Sequence, residues 1–170
     1  MKLGGKKRMS KTVLVLAGVS GSGKSTLATI LQDLVIQEMD SPDLCGIIQD
    51  CGICSADHYF ESEDGYKFDA SKLKEAHESC RNQFDLLIGS QVDLVIVDNT
   101  NTSMRECQYY LDKAEESGYQ AFYLAVIPYR AGQDNVHEVP VSSLGKQSDR
   151  LQNIIKTLLK QHISGDRDGT

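Results

Sequence analysis

No run of apolar residues in this 170-residue sequence reaches the ~18 that a membrane-spanning helix needs. The opening segment, Met1–Lys11, is basic but lacks the apolar stretch of a secretory signal. Together these absences set the expectation of an intracellular protein, cytoplasmic or nuclear, with no membrane partner. Cysteines number five, so they cannot all pair within the chain, and reduced thiols are expected. Cys51-Gly-Ile-Cys54 has the spacing of a redox or zinc pair. Gly52-Ile53 is a poor helix start for a redox motif, however, and Cys45, Cys51, Cys54 and His58 match no standard zinc knuckle. Internal repeats and low-complexity blocks are absent. So are the Asn-Lys-x-Asp base reader of a guanine-nucleotide switch and any linear pattern for a nucleophilic triad.

Basic charge is scarce in the body of the chain. The formal charge is −6, and Lys2, Lys6, Lys7, Arg8 and Lys11 lie in the leading arm. The remainder holds 13 basic and 24 acidic residues. Such a surface grips long duplex nucleic acid poorly, because phosphate contacts supply most of that affinity. It leaves room for an enzyme that touches one or two phosphates at a strand end. The arm either adds non-specific attraction or is a soluble tail. Apolar content of 40% and charged content of 25% are those of an ordinary globular protein. The length fits one domain. The expected organisation is a basic arm at 1–11, one α/β domain at 12–163 and a disordered tail at 164–170.

The apolar run Thr12–Ala17 predicts a central parallel strand. Lys24–Met39 carries apolar residues at Leu27, Ile30, Leu31, Leu34 and Val35 and predicts a helix. A second strand is expected within Ile47–Ser55, and a polar loop over Asp57–Tyr66. Asp69 is a candidate N-cap for a helix from Ala70 to Ile88. Val92–Val97 predicts a third strand. Ser103-Met-Arg-Glu106 is a capping box opening a helix to Ser117. Gln120–Ile127 is the fourth strand, and Ser142–His162 the last helix. This β-α alternation predicts three layers, a parallel sheet of four or five strands with helices on both faces. Its active site belongs at the carboxyl ends of the strands.

Gly18-Val-Ser-Gly-Ser-Gly-Lys24-Ser25 fits G-x-x-x-x-G-K-[ST] in full, between an apolar strand and an amphipathic helix. In such a loop Gly18, Ser20, Gly21, Ser22 and Gly23 bring backbone N–H groups close to phosphates, aided by the helix dipole. Lys24 supplies a point charge for the β- and γ-phosphates of ATP. The Ser25 hydroxyl suits Mg²⁺, and Thr26 the α-phosphate. A chain this short, without a base reader or helical lid domain, points to the kinase branch of these proteins.

A kinase acting on a hydroxyl needs a carboxylate to orient and deprotonate it. Asp57 is expected at the end of the strand beside the phosphate loop, either in that role or capping a turn. Asp98 ends the third strand, where a carboxylate can hold a Mg²⁺-bound water. Asn99, Thr100 and Asn101 then form either a pocket for a substrate phosphate or the turn into the next helix. Tyr59 and Phe60 are core residues or base-stacking ones, and His58 and His77 read as structural.

The segments SADHYF, GYKFDASKLKEAHESC, VIVDNTNT and NVHEVP, with an Arg beyond, resemble the polynucleotide-5′-hydroxyl-kinase-like P-loop kinases, AAA-type ATP-binding domains. The likeness runs from Val13 to Arg150. It implies a P-loop kinase fold with a mobile lid at Tyr129–Pro140, and ATP with Mg²⁺ as cofactors. It implies Asp57 as general base and Thr100 with its Asn neighbours on the acceptor phosphate. The acceptor implied is the 5′-hydroxyl end of DNA or RNA, a nucleic-acid partner. Phe68 and Asp69 are implied to pack and cap a helix. Two positions depart from the pattern. Asp134 precedes Asn135 where an Arg-Asn pair is usual, so the lid cation falls to Arg130 or Arg150. Phe60 stands where these kinases often carry an Arg. Three alternatives stay open: a kinase of another hydroxyl, an ATP-binding module without transfer activity, and a zinc- or partner-binding adaptor.

Overall fold

A computed structural model of the chain describes residues 10–39, 48–127 and 140–165. Residues 129–139 of the expected lid Tyr129–Pro140, most of the leading arm and most of the tail lie outside the described residues.

Four strands, β1 (Thr12–Ala17), β2 (Cys51–Cys54), β5 (Leu94–Asp98) and β6 (Gln120–Ala125), form a parallel sheet in the order β2-β5-β1-β6. Two short strands, β3 (Glu61–Ser62) and β4 (Gly65–Tyr66), form an antiparallel hairpin apart from it. Among the described residues four α-helices join in: α1 (Lys24–Met39), α2 (Leu73–Gly89), α3 (Met104–Glu116) and α4 (Val141–Gly165).

Side chains alternate across a strand with period two, and that alternation sorts the core into two faces. Val13, Val15, Val95 and Val97 pack with Ala76, Cys80 and Phe84 of α2 and with Cys107, Tyr110 and Ala114 of α3. Leu14, Leu16, Leu94 and Ile96 turn the other way, onto Ala28 and Val35 of α1. The expected three-layer α/β architecture is what these contacts build. Strand β5 is buried at every position, as a central parallel strand should be. Strand β6, at the sheet edge, alternates between exposed and half-buried residues.

Strand β2, Cys51–Cys54, falls within Ile47–Ser55, as expected. Gly52 sits inside it because a Cβ there would come within 2.6 Å of the Leu87 side chain of α2. The stretch Asp57–Tyr66, expected as a loop, is a 3-10 turn (Asp57–Phe60) followed by the β3–β4 hairpin. Gly65, at φ 100°, takes the left-handed position that a tight hairpin turn needs.

Asp69 and the Ser103–Glu106 pair both act as caps, although Asp69 caps a 3-10 turn, Ala70–Lys72, that leads into α2 rather than α2 itself. The Asp69 carboxylate accepts the Ser71 N–H at 2.9 Å, and Glu106 reaches back to the Ser103 N–H at 3.2 Å. The cysteine pair is divided by the sheet. Cys54 packs on the α2 face, whereas Cys51 packs on the α1 face. Two side chains on opposite faces cannot share one ion, which removes the basis for a Cys51–Cys54 zinc or redox pair. Cys51, Cys54, Cys80 and Cys107 are free thiols. Among the described residues no helix is long and apolar enough to cross a membrane.

Phe84 is fully buried and lies 5.0 Å, ring to ring, from Tyr110. Phe84→Ala is expected to destabilise the protein by about 3–5 kcal/mol. Leu86→Ala, at a neighbouring exposed position, should cost under about 0.5 kcal/mol. Urea unfolding of both variants checks the assignment of that helix face to the core.

Candidate active site

The phosphate loop leaves β1 at the carboxyl edge of the sheet. Gly21 and Gly23 have φ of 75° and 90°, a backbone region that L side chains rarely occupy. Gly18 has no room for a side chain, since a Cβ would lie 2.6 Å from the Val126 carbonyl. Lys24 opens α1 but is 7% exposed, and its ammonium donates to the Val19 carbonyl at 3.0 Å. Ser25 and Thr26 are exposed on the first turn. On the other side of the loop, the Ser20 N–H donates to Gln147 Oε1 of α4 at 3.0 Å.

Asp98 ends β5, directly beside β1, and is also 7% exposed. The expected position of Asp57 needs a correction. Its strand, β2, is not next to β1, because β5 lies between them. Asp57 opens the 3-10 turn just past β2 and is half-buried. Both carboxylates nevertheless act on one cation. Burial lowers the Lys24 pKa, and the negative charges of Asp98 and then Asp57 oppose that shift. The three groups therefore share one electrostatic neighbourhood.

Asp57 is held from two directions. Its N–H donates to Ser55 Oγ at 3.2 Å, and the Tyr66 hydroxyl donates to Asp57 Oδ1 at 3.2 Å. Burial and the charge of Asp57 raise the Tyr66 phenol to about 12, so it remains a proton donor at neutral pH. Phe60, 5% exposed, packs its ring against Tyr59, Tyr66 and Phe68. It is a core residue that anchors the hairpin bearing Tyr66.

The loop after β5 ties the site together. Asn99 Oδ1 accepts the Ala56 N–H at 2.8 Å, and Asn99 Nδ2 donates to Cys80 Sγ at 3.3 Å. Asn101 is 2% exposed at φ 45°, and its amide donates to the Leu16 carbonyl at 2.7 Å. The Thr100 carbonyl accepts the Gly18 N–H at 2.9 Å. Of the three residues expected on a substrate phosphate, Asn99 and Asn101 thus spend their amides inside the protein. Thr100 is half-buried between them. Arg150 is exposed on α4, one turn beyond Gln147, with its Nε on the Lys146 carbonyl at 3.2 Å. Arg130 lies outside the described residues.

Three contributors were not anticipated: Tyr66, Ser55 and Gln147. Asp64-Gly65 is a hairpin-turn dipeptide and carried the signal for Tyr66. Gln147 had none, since an exposed-type glutamine on a helix carries no mark of its partner.

A parallel sheet with a glycine-rich phosphate loop at its carboxyl edge, a buried lysine and flanking helices is the P-loop kinase fold. The chain belongs to the AAA_33 family, described as an AAA domain, which matches residues 13–152. It is therefore a P-loop kinase-like ATP-binding domain. It is 28% identical over 149 residues to human NEDD4-binding protein 2, covering 84% of this chain and 8% of that protein. Among solved structures it resembles the Pnkp1/Rnl/Hen1 RNA repair complex, with a TM-score of 0.60, 17% identity, and coverage of 92% of this chain and 49% of the other. A second match is an APS kinase, CysC of Mycobacterium tuberculosis, at a TM-score of 0.47, 17% identity, and coverage of 89% of this chain and 99% of the other. The chain thus spans a small part of its human relative and about half of the RNA repair chain.

The donors present fit a Mg·ATP complex. The loop backbone turns through positive φ at Gly21 and Gly23, where L side chains are rare, and a Cβ on Gly23 would meet only open space. Lys24 supplies a cation, and Ser25 with Asp98 supplies hard oxygen donors. Asn101→Ala should lower stability by about 1–3 kcal/mol in urea unfolding, through the lost Leu16 bond and the positive φ. A pure ligand contact would instead leave the unfolding midpoint unchanged. Lys24→Met should keep or raise the melting temperature, because a desolvated charge is removed. It should also abolish the thermal shift produced by Mg·ATP, which in the unmodified protein amounts to about 2.7 kcal/mol at a hundred times Kd.

Proposed function

We propose that the protein is an ATP-dependent kinase that phosphorylates the 5′-hydroxyl of a polynucleotide. The observation that carries this is the convergence of Lys24, Asp98 and Asp57 on one electrostatic neighbourhood, with Asp57 oriented by Tyr66 and Ser55. The likeness of the ADHYF and DNTNT segments to the polynucleotide kinases supports a nucleic-acid end as acceptor. The RNA repair complex to which a structural neighbour belongs agrees with it.

In this reading the phosphate-loop N–H groups and Lys24 hold the triphosphate with its γ-phosphorus facing Asp57. The Asp57 carboxylate accepts the 5′-hydroxyl proton while the hydroxyl oxygen bonds to that phosphorus. The bond from phosphorus to the β–γ bridging oxygen breaks, and ADP leaves. Ser25 directly and Asp98 through water would hold Mg²⁺, which when bound neutralises charge on the β- and γ-phosphate oxygens. Tyr66 keeps the Asp57 carboxylate oriented towards the acceptor. Thr100 is the residue of its loop placed to donate to an acceptor phosphate. Arg150, or Arg130 outside the described residues, supplies the second cation for the transferring phosphoryl group.

The test uses γ-labelled ATP with a panel of 5′-hydroxyl DNA, 5′-hydroxyl RNA, hydroxymethylated DNA, nucleosides and sugar nucleotides. Label is expected on the 5′-hydroxyl strands. Label on small molecules alone contradicts the proposed acceptor. Asp57→Asn should lower kcat by about 10²–10⁴-fold and leave the ATP-induced thermal shift intact. Equal loss of both would make Asp57 a folding residue.

A further inference from the structure

The proposed acceptor cleft is acidic at its floor. Asp57 and Asp98 stand there, and Lys24 faces the phosphate loop. An anionic acceptor strand needs cations of its own. Among the described residues, Lys74 and Arg81 of α2 are two such cations. His77 lies between them at steps of three and four, which places all three, with Glu78, on one helix face. The one ion pair among the described residues is Lys67 with Asp64, so neither Lys74 nor Arg81 is neutralised by a carboxylate in contact. Arg81 lies 5.2 Å over the Tyr109 ring, which fixes its plane.

This basic face borders a cavity of about 440 Å³ between α2 and α3, with Asn101 and Tyr110 in its wall. The volume is within the range of ligand pockets, about 300–1,000 Å³. Two carboxylates border it as well. Glu106 is engaged by the Ser103 N–H at the start of α3, and Glu78 is exposed. Position matters more than volume. Asn101 belongs to the loop after β5, whose Asn99 holds the Ala56 N–H beside Asp57. The loop after β5 therefore links the cavity wall, at Asn101, to the turn that bears Asp57, at Asn99.

We propose that this groove binds the phosphodiester backbone of the acceptor strand inward from its 5′ end. Arg81 presents a planar fork to a phosphate, Lys74 a point charge, and His77 a further donor. The inference rests on the polynucleotide reading above and extends it from the reacting end to the strand behind it. An otherwise acidic surface then suits a single strand end better than a long duplex.

Binding of a 3′-fluorescein-labelled, 5′-hydroxyl single-stranded oligonucleotide is measured by anisotropy on the Asp57→Asn protein with Mg·AMPPNP. Lys74→Ala and Arg81→Gln are each expected to raise Kd about 5–20-fold. Each should also reduce the slope of log K against log salt by about 0.7 for every phosphate that the variant no longer neutralises. Lys113→Ala, at the far end of α3, is the control and should change neither. Melting temperatures accompany the Arg81 variant, which also gives up its packing on the Tyr109 ring, whereas Lys74 is exposed and unburdened by packing. Absence of oligonucleotide binding, unchanged Kd and slope in both variants, or an equal effect of Lys113→Ala would each overturn the proposal. The kinase reading fails separately. Groove-dependent binding with no label transferred to a 5′-hydroxyl keeps the groove and removes the kinase. Transfer indifferent to Lys74 and Arg81 keeps the kinase and removes the groove.

Discussion

A lysine ammonium buried at the carboxyl edge of the sheet is the constraint that organises this protein. Burial works against the charge of Lys24, and Asp98 and Asp57 work to retain it. The arrangement needs three separate chain segments to meet: the loop after β1, the end of β5 and the turn after β2. A parallel sheet brings them together because its strands all end on one edge. The alternation of Val13 and Val15 with Leu14 and Leu16 keeps that sheet packed on both faces.

Hydrogen bonds between loops hold the three segments in register. Gly18 is bonded to Thr100, Asn101 to Leu16, and Asn99 to Ala56. Each bond crosses from one strand's exit to another's. The dense run of short polar residues after Asp98 therefore serves largely as internal bracing. A phosphoryl-transfer site asks the protein mainly for positioning and charge, so bracing of this kind has a direct chemical use. The aromatic cluster around Phe60 does the same for Tyr66 and, through it, for the Asp57 carboxylate.

Much of this was legible in the residue order. Continuous apolar strands, spaced apolar helix faces and the glycine-lysine-serine loop each carry a local physical signature, and α1, α3 and the Asp69 and Ser103–Glu106 caps lie where those signatures predicted. Strand order was not legible, because it depends on which helix faces match across the sheet. Hence β5, and not β2, lies beside β1. The roles of Asn99 and Asn101 were hidden for a similar reason. A short amide has the same local signature whether its partner is a substrate phosphate or a distant carbonyl. The hairpin at Glu61–Tyr66 was overlooked although Asp64-Gly65 announced it, and with it went the hydroxyl that orients Asp57. The basic face of α2 was read only as a helix, since its meaning comes from the groove that α3 completes.

The central claim is geometric, and a crystal structure of the protein with Mg·AMPPNP and a short 5′-hydroxyl oligonucleotide tests it most directly. The account predicts an Asp57 carboxylate oxygen within about 2.6–3.2 Å of the 5′-oxygen, with the γ-phosphorus on the far side of that oxygen and the Lys24 ammonium on the phosphate chain. A 5′-oxygen bound away from Asp57, or a triphosphate that leaves Lys24 without contact, would contradict it.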